Sequence, residues 1–228
     1  MDCVILCGGF GKRIYKYYNK TPKVLININN KPFIYYKLKQ VNFCKKIYLC
    51  TGYKGNQVKN YFRNKKSTKI FIKKEKEPLG TGGPLKKIIK SIKDDKFFFT
   101  YGDNYLLDLP IKKMVDKFNQ NKKSIILIYK NNNIYDKSNI KLNSKKNIVY
   151  NKSKNFEGNF IDYGFFLLNK NDIIKNLPNK TKFDFSYLLN VLIKKKLIQY
   201  IVVKKRFYEI GKIDGLREFE KYIKEKTF

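Results

Sequence analysis

A few short loops hold most of the residues whose types and spacing could do chemistry. The first, Gly8-Gly9-Phe10-Gly11-Lys12-Arg13, follows the apolar run Cys3–Cys7. Glycines in such a place let backbone N–H groups approach a phosphate or a base edge, and Lys12 and Arg13 add positive charge. The loop is not a P-loop, because no Gly-Lys-Ser/Thr follows at the required spacing. Nor is it G-x-G-x-x-G, since Ile14 stands where the third glycine belongs. Taken alone, it also reads as a plain glycine turn. Thr21-Pro22-Lys23 is expected in a polar loop, where the rigid proline can aim the lysine at the same anion. Glu77-Pro78-Leu79-Gly80-Thr81-Gly82-Gly83 is sharper, with three glycines in four positions ahead of a helix opened by Pro84. Such a backbone can hydrogen-bond a flat heterocycle, and the helix N-terminus favours anions. A tight turn is the simpler reading, although it needs fewer glycines.

Carboxylates supply the second kind of chemistry. Tyr101-Gly102-Asp103 puts one at the carboxyl end of a strand, a place suited to a hard cation or a ligand contact. Two more stand beside glycines: Asp162 in Ile161-Asp162-Tyr163-Gly164, and Glu209 in Tyr208-Glu209-Ile210-Gly211 after the last strand. If both loops open on one carboxyl edge of a sheet, Asp103 and Glu209 can converge on one cation. Histidine is absent from the sequence, which removes Ser-His-Asp and Cys-His nucleophiles, His-ligated zinc and His acid/base catalysis. The chemistry must then run on carboxylates, lysines, hydroxyls, backbone amides or a hard metal ion. Cys3, Cys7, Cys44 and Cys50 form no CxxC pair and read as buried reduced thiols.

The elements that position these loops alternate in type. Cys3–Cys7, Lys46–Thr51, Lys69–Ile72 and Phe97–Thr100 read as strands. Lys31–Phe43, Gln57–Phe62, a segment from Pro84 through Ile92, and Ile111–Phe118 read as helices. Leu85, Ile88, Ile89 and Ile92 give the third of these its apolar stripe. Four βα units are then followed by a β-richer half, with strands expected at Ser124–Tyr129, Asn139–Leu142, Ile148–Asn151, Phe160–Leu168 and Gln199–Val203. Helices are expected at Asp184–Lys194 and Asp214–Ile223, and Asn131-Asn132-Asn133 reads as a surface turn. This pattern predicts an α/β fold with a doubly wound, largely parallel sheet and a smaller β-rich part. Ligands of such sheets bind beyond the carboxyl ends of the strands.

Composition narrows the class. The 228 residues are 43% hydrophobic and 16% aromatic, which excludes a disordered or fibrous chain. No apolar run approaches the roughly 18 residues that cross a bilayer. The opening Met1–Leu6 has no basic leader and too short an apolar stretch for a signal peptide, so a cytoplasmic chain without a membrane partner is expected. The net charge of +33 invites a nucleic-acid reading. Yet of 51 basic residues only Arg13, Arg63, Arg206 and Arg217 are arginine, and the lysines are spread over every segment. Nucleic-acid surfaces favour arginine for bidentate contacts. The surplus reads as a solvated surface with no nucleic-acid partner, which still steers anionic small substrates.

In their order, LCGGFGKR, TPKVLI, EPLGTGGPLK, YGDN, NKSKN, IDYGFFLL and YEIG resemble the sugar-phosphate nucleotidyltransferases, also called NDP-sugar pyrophosphorylases. The resemblance runs from about Val4 to about Tyr222 and looks closest to short bacterial members of the heptose-1-phosphate guanylyltransferase kind. It implies a Rossmann-like, GT-A-like fold forming a single nucleotidyltransferase domain over residues 1–228. The nucleotide-binding half would cover about 1–120 and the sugar-phosphate half about 121–228. It also implies a Mg²⁺-dependent reaction that joins a nucleoside triphosphate to a sugar 1-phosphate, giving NDP-sugar and pyrophosphate for surface polysaccharide precursors. Carried over by motif, Leu6, Gly8, Gly9, Gly82, Gly83 and Gly102 would line the nucleotide site. Gly11, Lys12 and Arg13 would wrap the triphosphate, and Lys23 would contact phosphate. Asp103 would bind magnesium, with Glu209 where the family usually has aspartate as second metal ligand. Lys152 would contact the sugar phosphate, with Asp162 and Gly164 near the sugar hydroxyls. Arg13, Lys23 and Asp103 are the expected catalytic residues. GKR stands where GTR is common. GTGG resembles the guanylyl branch, so GTP is favoured, with CTP and UTP left open. A cytidylyltransferase for a non-sugar phosphate such as phosphocholine, an inactive nucleotide-binding regulator, and a homodimer also stay open.

Overall fold

The computed structural model of the chain describes residues 1–11, 13–18, 20–65 and 67–226. In chain order the strands are β1 (Cys3–Leu6), β2 (Asn27–Ile28), β3 (Lys31–Pro32), β4 (Ile47–Thr51), β5 (Ile70–Lys74), β6 (Lys96–Tyr101), β7 (Asn104–Leu106), β8 (Ser124–Lys130), β9 (Ile140–Leu142), β10 (Ile148–Tyr150), β11 (Phe160–Asn169), β12 (Ile198–Val203) and β13 (Phe207–Glu209). The helices are α1 (Tyr15–Tyr18), α2 (Phe33–Gln40), α3 (Gly55–Arg63), α4 (Gly83–Ile88), α5 (Ile111–Asn121), α6 (Lys170–Asn176), α7 (Phe185–Lys194) and α8 (Ile213–Lys226). The architecture is α/β, a mixed and mostly parallel sheet with helices, as the alternation of apolar runs and helical periods predicts. Among the described residues no helix is long and apolar enough to cross a membrane.

The chain divides into two compact units interleaved along the sequence. The first takes Met1–Leu79, Thr100–Leu106 and the chain from Phe207 onward; the second takes Gly80–Phe99 and Leu107–Arg206. In the first unit β1, β4 and β5 run parallel, with Cys3 opposite Ile47 and Ile47 opposite Ile70. Parallel strands covered on both faces need continuous apolar runs, and β4 is buried along its whole length. Cys3, Cys7, Cys44 and Cys50 are buried free thiols, as expected. A second core forms around Phe219 of α8. Its ring centroid lies 4.8 Å from Tyr105, 5.3 Å from Phe33, 5.5 Å from Tyr36 and 5.7 Å from Tyr208.

Three local expectations change in this unit. The helix expected over Lys31–Phe43 starts later, at Phe33, because Lys31 and Pro32 pair with Ile28 and Asn27 in a tight hairpin. Lys23 is not in an open loop: it begins a 3₁₀ turn, Lys23–Leu25, after Pro22 at φ −65°. Glu209 does not follow the last strand but lies within β13, which pairs antiparallel with β7, Glu209 opposite Asn104. Three-residue strands are too short to display the alternation that betrays longer ones. Asp103 and Glu209 are therefore brought close by an antiparallel ladder and not by a shared carboxyl edge of parallel strands.

In the second unit β8 pairs in parallel with β12 and antiparallel with β11, while β9 and β10 form a hairpin. The helix from Pro84 is shorter than its stripe suggests. It begins at Gly83, ends at Ile88 and passes into a 3₁₀ turn, Ile89–Ser91, with Leu85, Ile88, Ile89 and Ile92 all buried. Asn131 is not a surface residue. It is fully buried, donating to the Asp136 carbonyl at 2.6 Å and the Ser138 hydroxyl at 3.0 Å. Asn132 and Asn133 then take positive φ, a conformation asparagine tolerates.

Phe219→Ala removes the ring shared by Phe33, Tyr36, Tyr105, Tyr208 and Tyr222, and truncations of this type cost about 3–5 kcal/mol. Urea unfolding should show a loss of that size, and a loss below 1 kcal/mol would mean that α8 is not an integral part of the first unit's core.

Candidate active site

In the first unit the glycine loop, Lys23, Asp103, Arg13 and Glu209 meet. The stem of Lys23 runs along the loop: a Cβ on Gly9 would lie 3.6 Å from Lys23 Cε, and one on Gly11, which has φ +65°, would lie 3.1 Å from Lys23 Cγ. At the end of that stem, Lys23 Nζ hydrogen-bonds Asp103 Oδ2 as an ion pair. Arg13 Nη2 stands 3.6 Å from Glu209 Oε1. Each carboxylate expected to face a metal thus meets a cation expected to face phosphate. Gly8 packs on Gly52, where an added Cβ would come within 3.0 Å of the Gly52 nitrogen. Lys12 lies outside the described residues.

The Asp103 turn is fastened from several sides. The Gly102 N–H donates to the Leu6 carbonyl at 2.8 Å, and a Cβ on Gly102 would sit 2.6 Å from that same oxygen, so only glycine fits. The Ile210 N–H donates to the Asp103 carbonyl at 2.9 Å, which carries the β7–β13 ladder one step further. From below, Lys37 of α2 donates to Thr100 Oγ1 at 3.0 Å and Asn104 Oδ1 at 2.7 Å. Sequence reading did not single out Lys37. The signal was available: with Phe33 and Ile34 it completes the buried face of α2, where an apolar residue belongs.

The second unit gathers the other expected residues. Lys152 Nζ lies 3.5 Å from Asp184 Oδ1. Burial pushes the Asp184 carboxyl up, but the Ser186 hydroxyl and N–H, Lys152 and the Thr81 hydroxyl outweigh it and hold the group below the ordinary carboxylate range. Tyr150 is held well above the usual phenol range by burial and by the neighbouring Asp162 and Asp184 carboxylates. Asp162 accepts from the Gly164 N–H at 2.8 Å, and its own N–H donates to Asn139 Oδ1 at 2.9 Å. A register shift in β11 between Asp162 and Phe166, with Gly164 at φ +77°, marks a bulge that re-aims this segment. Asp184 and Tyr150 were missed as site residues. In the sequence Asp184 is only the first residue of the helix expected over Asp184–Lys194; in the structure it is the N-cap of α7, accepting from the Ser186 N–H at 2.8 Å.

The glycines of the third loop have an internal reason. A Cβ on Gly82 would lie 2.2 Å from the Phe183 ring, and the Gly82 N–H already donates to the Phe183 carbonyl at 2.9 Å. Gly83 is buried at the start of α4. Thr81 Oγ1 accepts from the Phe185 N–H at 2.8 Å, so this loop and the start of α7 are one structure. The arrangement leaves Gly82 without a spare N–H donor for a heterocycle.

Asp103 and Glu209 suit a hard divalent cation. Both are carboxylates, both are partly exposed, and the ladder holds their backbones at adjacent positions. Among the described residues no group of three or more Cys, Asp or Glu side chains is placed to hold a metal. Any such ion would take further ligands from substrate and water, as Mg²⁺ commonly does.

The Nucleotidyl transferase family model matches residues 2–226. The D-glycero-alpha-D-manno-heptose 1-phosphate guanylyltransferase of Aneurinibacillus thermoaerophilus is 30% identical over 97% of this chain and 97% of its own. The Campylobacter jejuni enzyme of the same name is 32% identical over 92% and 95%. Among solved structures, HddC from Yersinia pseudotuberculosis superposes with a TM-score of 0.79 at 26% identity, covering 97% of this chain and 99% of that one. It has also been solved complexed with GMP-PN. A full-length family match, these relatives and the charged loops of the first unit lead to one conclusion: the chain belongs to the nucleotidyl transferase family.

Proposed function

We propose that the chain transfers a nucleotidyl group from a nucleoside triphosphate, GTP by preference, to a sugar 1-phosphate, a heptose 1-phosphate first among candidates. The observation that carries this reading is the pairing of Lys23 with Asp103 and Arg13 with Glu209. The preference for GTP and for a heptose rests on the two guanylyltransferase relatives. A sugar-phosphate oxygen attacks the α-phosphorus, a new O–P bond forms, and the bond to the β-phosphate oxygen breaks with its electron pair leaving on pyrophosphate. The nucleophile is already an anion, so no general base is needed and the lack of histidine costs nothing. A Mg²⁺ ion held by Asp103 and Glu209 would neutralise charge on the phosphates. Arg13 and Lys23 then exchange their carboxylates for triphosphate oxygens, with Gly8, Gly9 and Gly11 offering close backbone approach. In the second unit Lys152 serves the sugar phosphate, while Asp162 and Asp184 serve as acceptors for sugar hydroxyls. Four free buried thiols suit the reducing cytoplasm, and products of this kind feed surface polysaccharide synthesis.

A matrix of four NTPs against several sugar 1-phosphates, read by pyrophosphate release with Mg²⁺, tests the assignment. GTP with a heptose 1-phosphate should turn over fastest. Release with CTP and phosphocholine but with no sugar phosphate would replace this reading by the cytidylyltransferase one.

Asp103→Asn keeps shape and removes charge, so turnover should fall on the order of 10²–10³-fold with the fold intact. Asp108→Asn is the control, since Asp108 accepts from the Lys204 N–H and an amide oxygen can do the same. Near-normal Mg²⁺-dependent turnover in Asp103→Asn would remove the metal site.

Two lysines should stand out from the lysine background. Lys23→Ala should raise KM for the NTP, Lys152→Ala should raise KM for the sugar phosphate, and exposed Lys145→Ala should change neither. Equal effects from all three would mean that bulk charge carries the binding.

A further inference from the structure

Lys37 is 0% exposed, and the role proposed above for the loops gives it nothing to do. An ammonium in a core position costs stability unless its hydrogen bonds compensate, and an apolar side chain would serve packing better. What Lys37 grips is informative. Its two acceptors, Thr100 and Asn104, lie on the strands that flank Tyr101-Gly102-Asp103, one on each side of the turn. Both acceptors are themselves buried. One turn along the same face, Gln40 hydrogen-bonds the backbone of Leu106 in both directions, Nε2 to the carbonyl at 2.5 Å and Oε1 from the N–H at 3.3 Å. Helix α2 thus clamps the segment Thr100–Leu106 at three points, and Asp103 stands between the two that Lys37 supplies.

We infer that Lys37 is a positioning residue for the nucleotidyl-transfer site: its Nζ ties Thr100 to Asn104 and so fixes the turn that aims the Asp103 carboxylate. This rests on the reading of Asp103 as the metal-facing carboxylate. Hydrogen bonds that cross a turn set the direction of the side chain at its apex, and a small misplacement of a catalytic group is expensive in rate. Burial lowers the Lys37 ammonium to about 7, with the nearby Cys3, Asp103 and Cys7 pushing the other way. The amine therefore donates to Thr100 and Asn104 in either protonation state.

Lys37→Met, of similar length and apolar, is assayed as the full chain beside Thr100→Val, Asp103→Asn and the double variant Lys37→Met/Asp103→Asn. Four quantities are read: thermal midpoint without metal, kcat, KM for GTP, and Mn²⁺ binding in the presence of GTP by electron paramagnetic resonance. Lys37→Met should lower the thermal midpoint modestly and leave the chain folded, since burying a methionine in place of an amine offsets part of the cost of leaving the buried Thr100 and Asn104 acceptors without its N–H. Its kcat should fall on the order of 10–100-fold with KM for GTP nearly unchanged, and Mn²⁺ binding should weaken in parallel. In the double variant the Lys37→Met change should add little to the loss from Asp103→Asn, because both act through one carboxylate. A wild-type kcat in a folded Lys37→Met would overturn the inference. So would a Lys37→Met loss that persists at full size in the Asp103→Asn background. If Lys37→Met does not fold, Thr100→Val decides: a kcat loss at unchanged midpoint supports the tie, and a wild-type kcat refutes it. Near-normal turnover in Asp103→Asn alone sinks the metal reading, whereas wild-type kcat in Lys37→Met beside a crippled Asp103→Asn sinks only the positioning role.

Discussion

Charges of opposite sign must be held near one another, and kept from pairing elsewhere, before a polyanion and a cation can be received together. In a chain with 51 basic and 18 acidic residues this constraint is severe, because carboxylates are scarce and cations are everywhere. The first unit meets it by spending two of its carboxylates, Asp103 and Glu209, on two chosen cations, Lys23 and Arg13. The stem of Lys23 packs along Gly9 and Gly11, so the ion pair also orders the glycine loop beside it. Partly exposed pairs of this kind contribute little to stability in themselves. Under the proposed function their value is placement, since each partner would exchange with a substrate or ion where it already stands.

Much of this was legible in the sequence, and the physical reasons are specific. The runs Cys3–Leu6 and Ile47–Thr51 are apolar without alternation, the signature of parallel strands covered on both faces. Gly102 is legible in the sequence as the glycine before Asp103, whereas the Leu6 carbonyl that excludes a Cβ there shows only in the fold. The pairing of β7 with β13 could not be read. Each strand is three residues long, and their partnership joins positions far apart in the chain. Lys37 was passed over for a different reason: among so many lysines, one more on a helix attracts no attention until its neighbours are seen to be buried.

The second unit shows how a good sequence signal can have a mixed cause. The glycines of Gly80-Thr81-Gly82-Gly83 looked like a surface left bare for a ligand. Part of that bareness is filled by Phe183, whose ring lies over Gly82 and whose carbonyl takes the Gly82 N–H. The loop and the start of α7 are built as one piece, and that piece carries Asp184 toward Lys152. Asp162 and Lys152, both visible as motif residues, thereby acquire companions in Asp184 and Tyr150 that no motif announced.

The interleaving of the units has a consequence for how the protein is made. Asp103 and Glu209 belong to one unit, yet all of Leu107–Arg206 is synthesised between Leu106 and Phe207. At about 5–20 residues per second, a nascent chain waits on the order of 5–20 s between presenting the first carboxylate and the second. During that interval β7 has no β13 to pair with, and the aromatic core around Phe33 and Tyr105 lacks Phe219. The second unit, by contrast, is fully translated once Arg206 emerges. Vectorial synthesis therefore delivers the second unit's core first and completes the carboxylate pair last, so a chain stalled before Phe207 leaves Asp103 without Glu209.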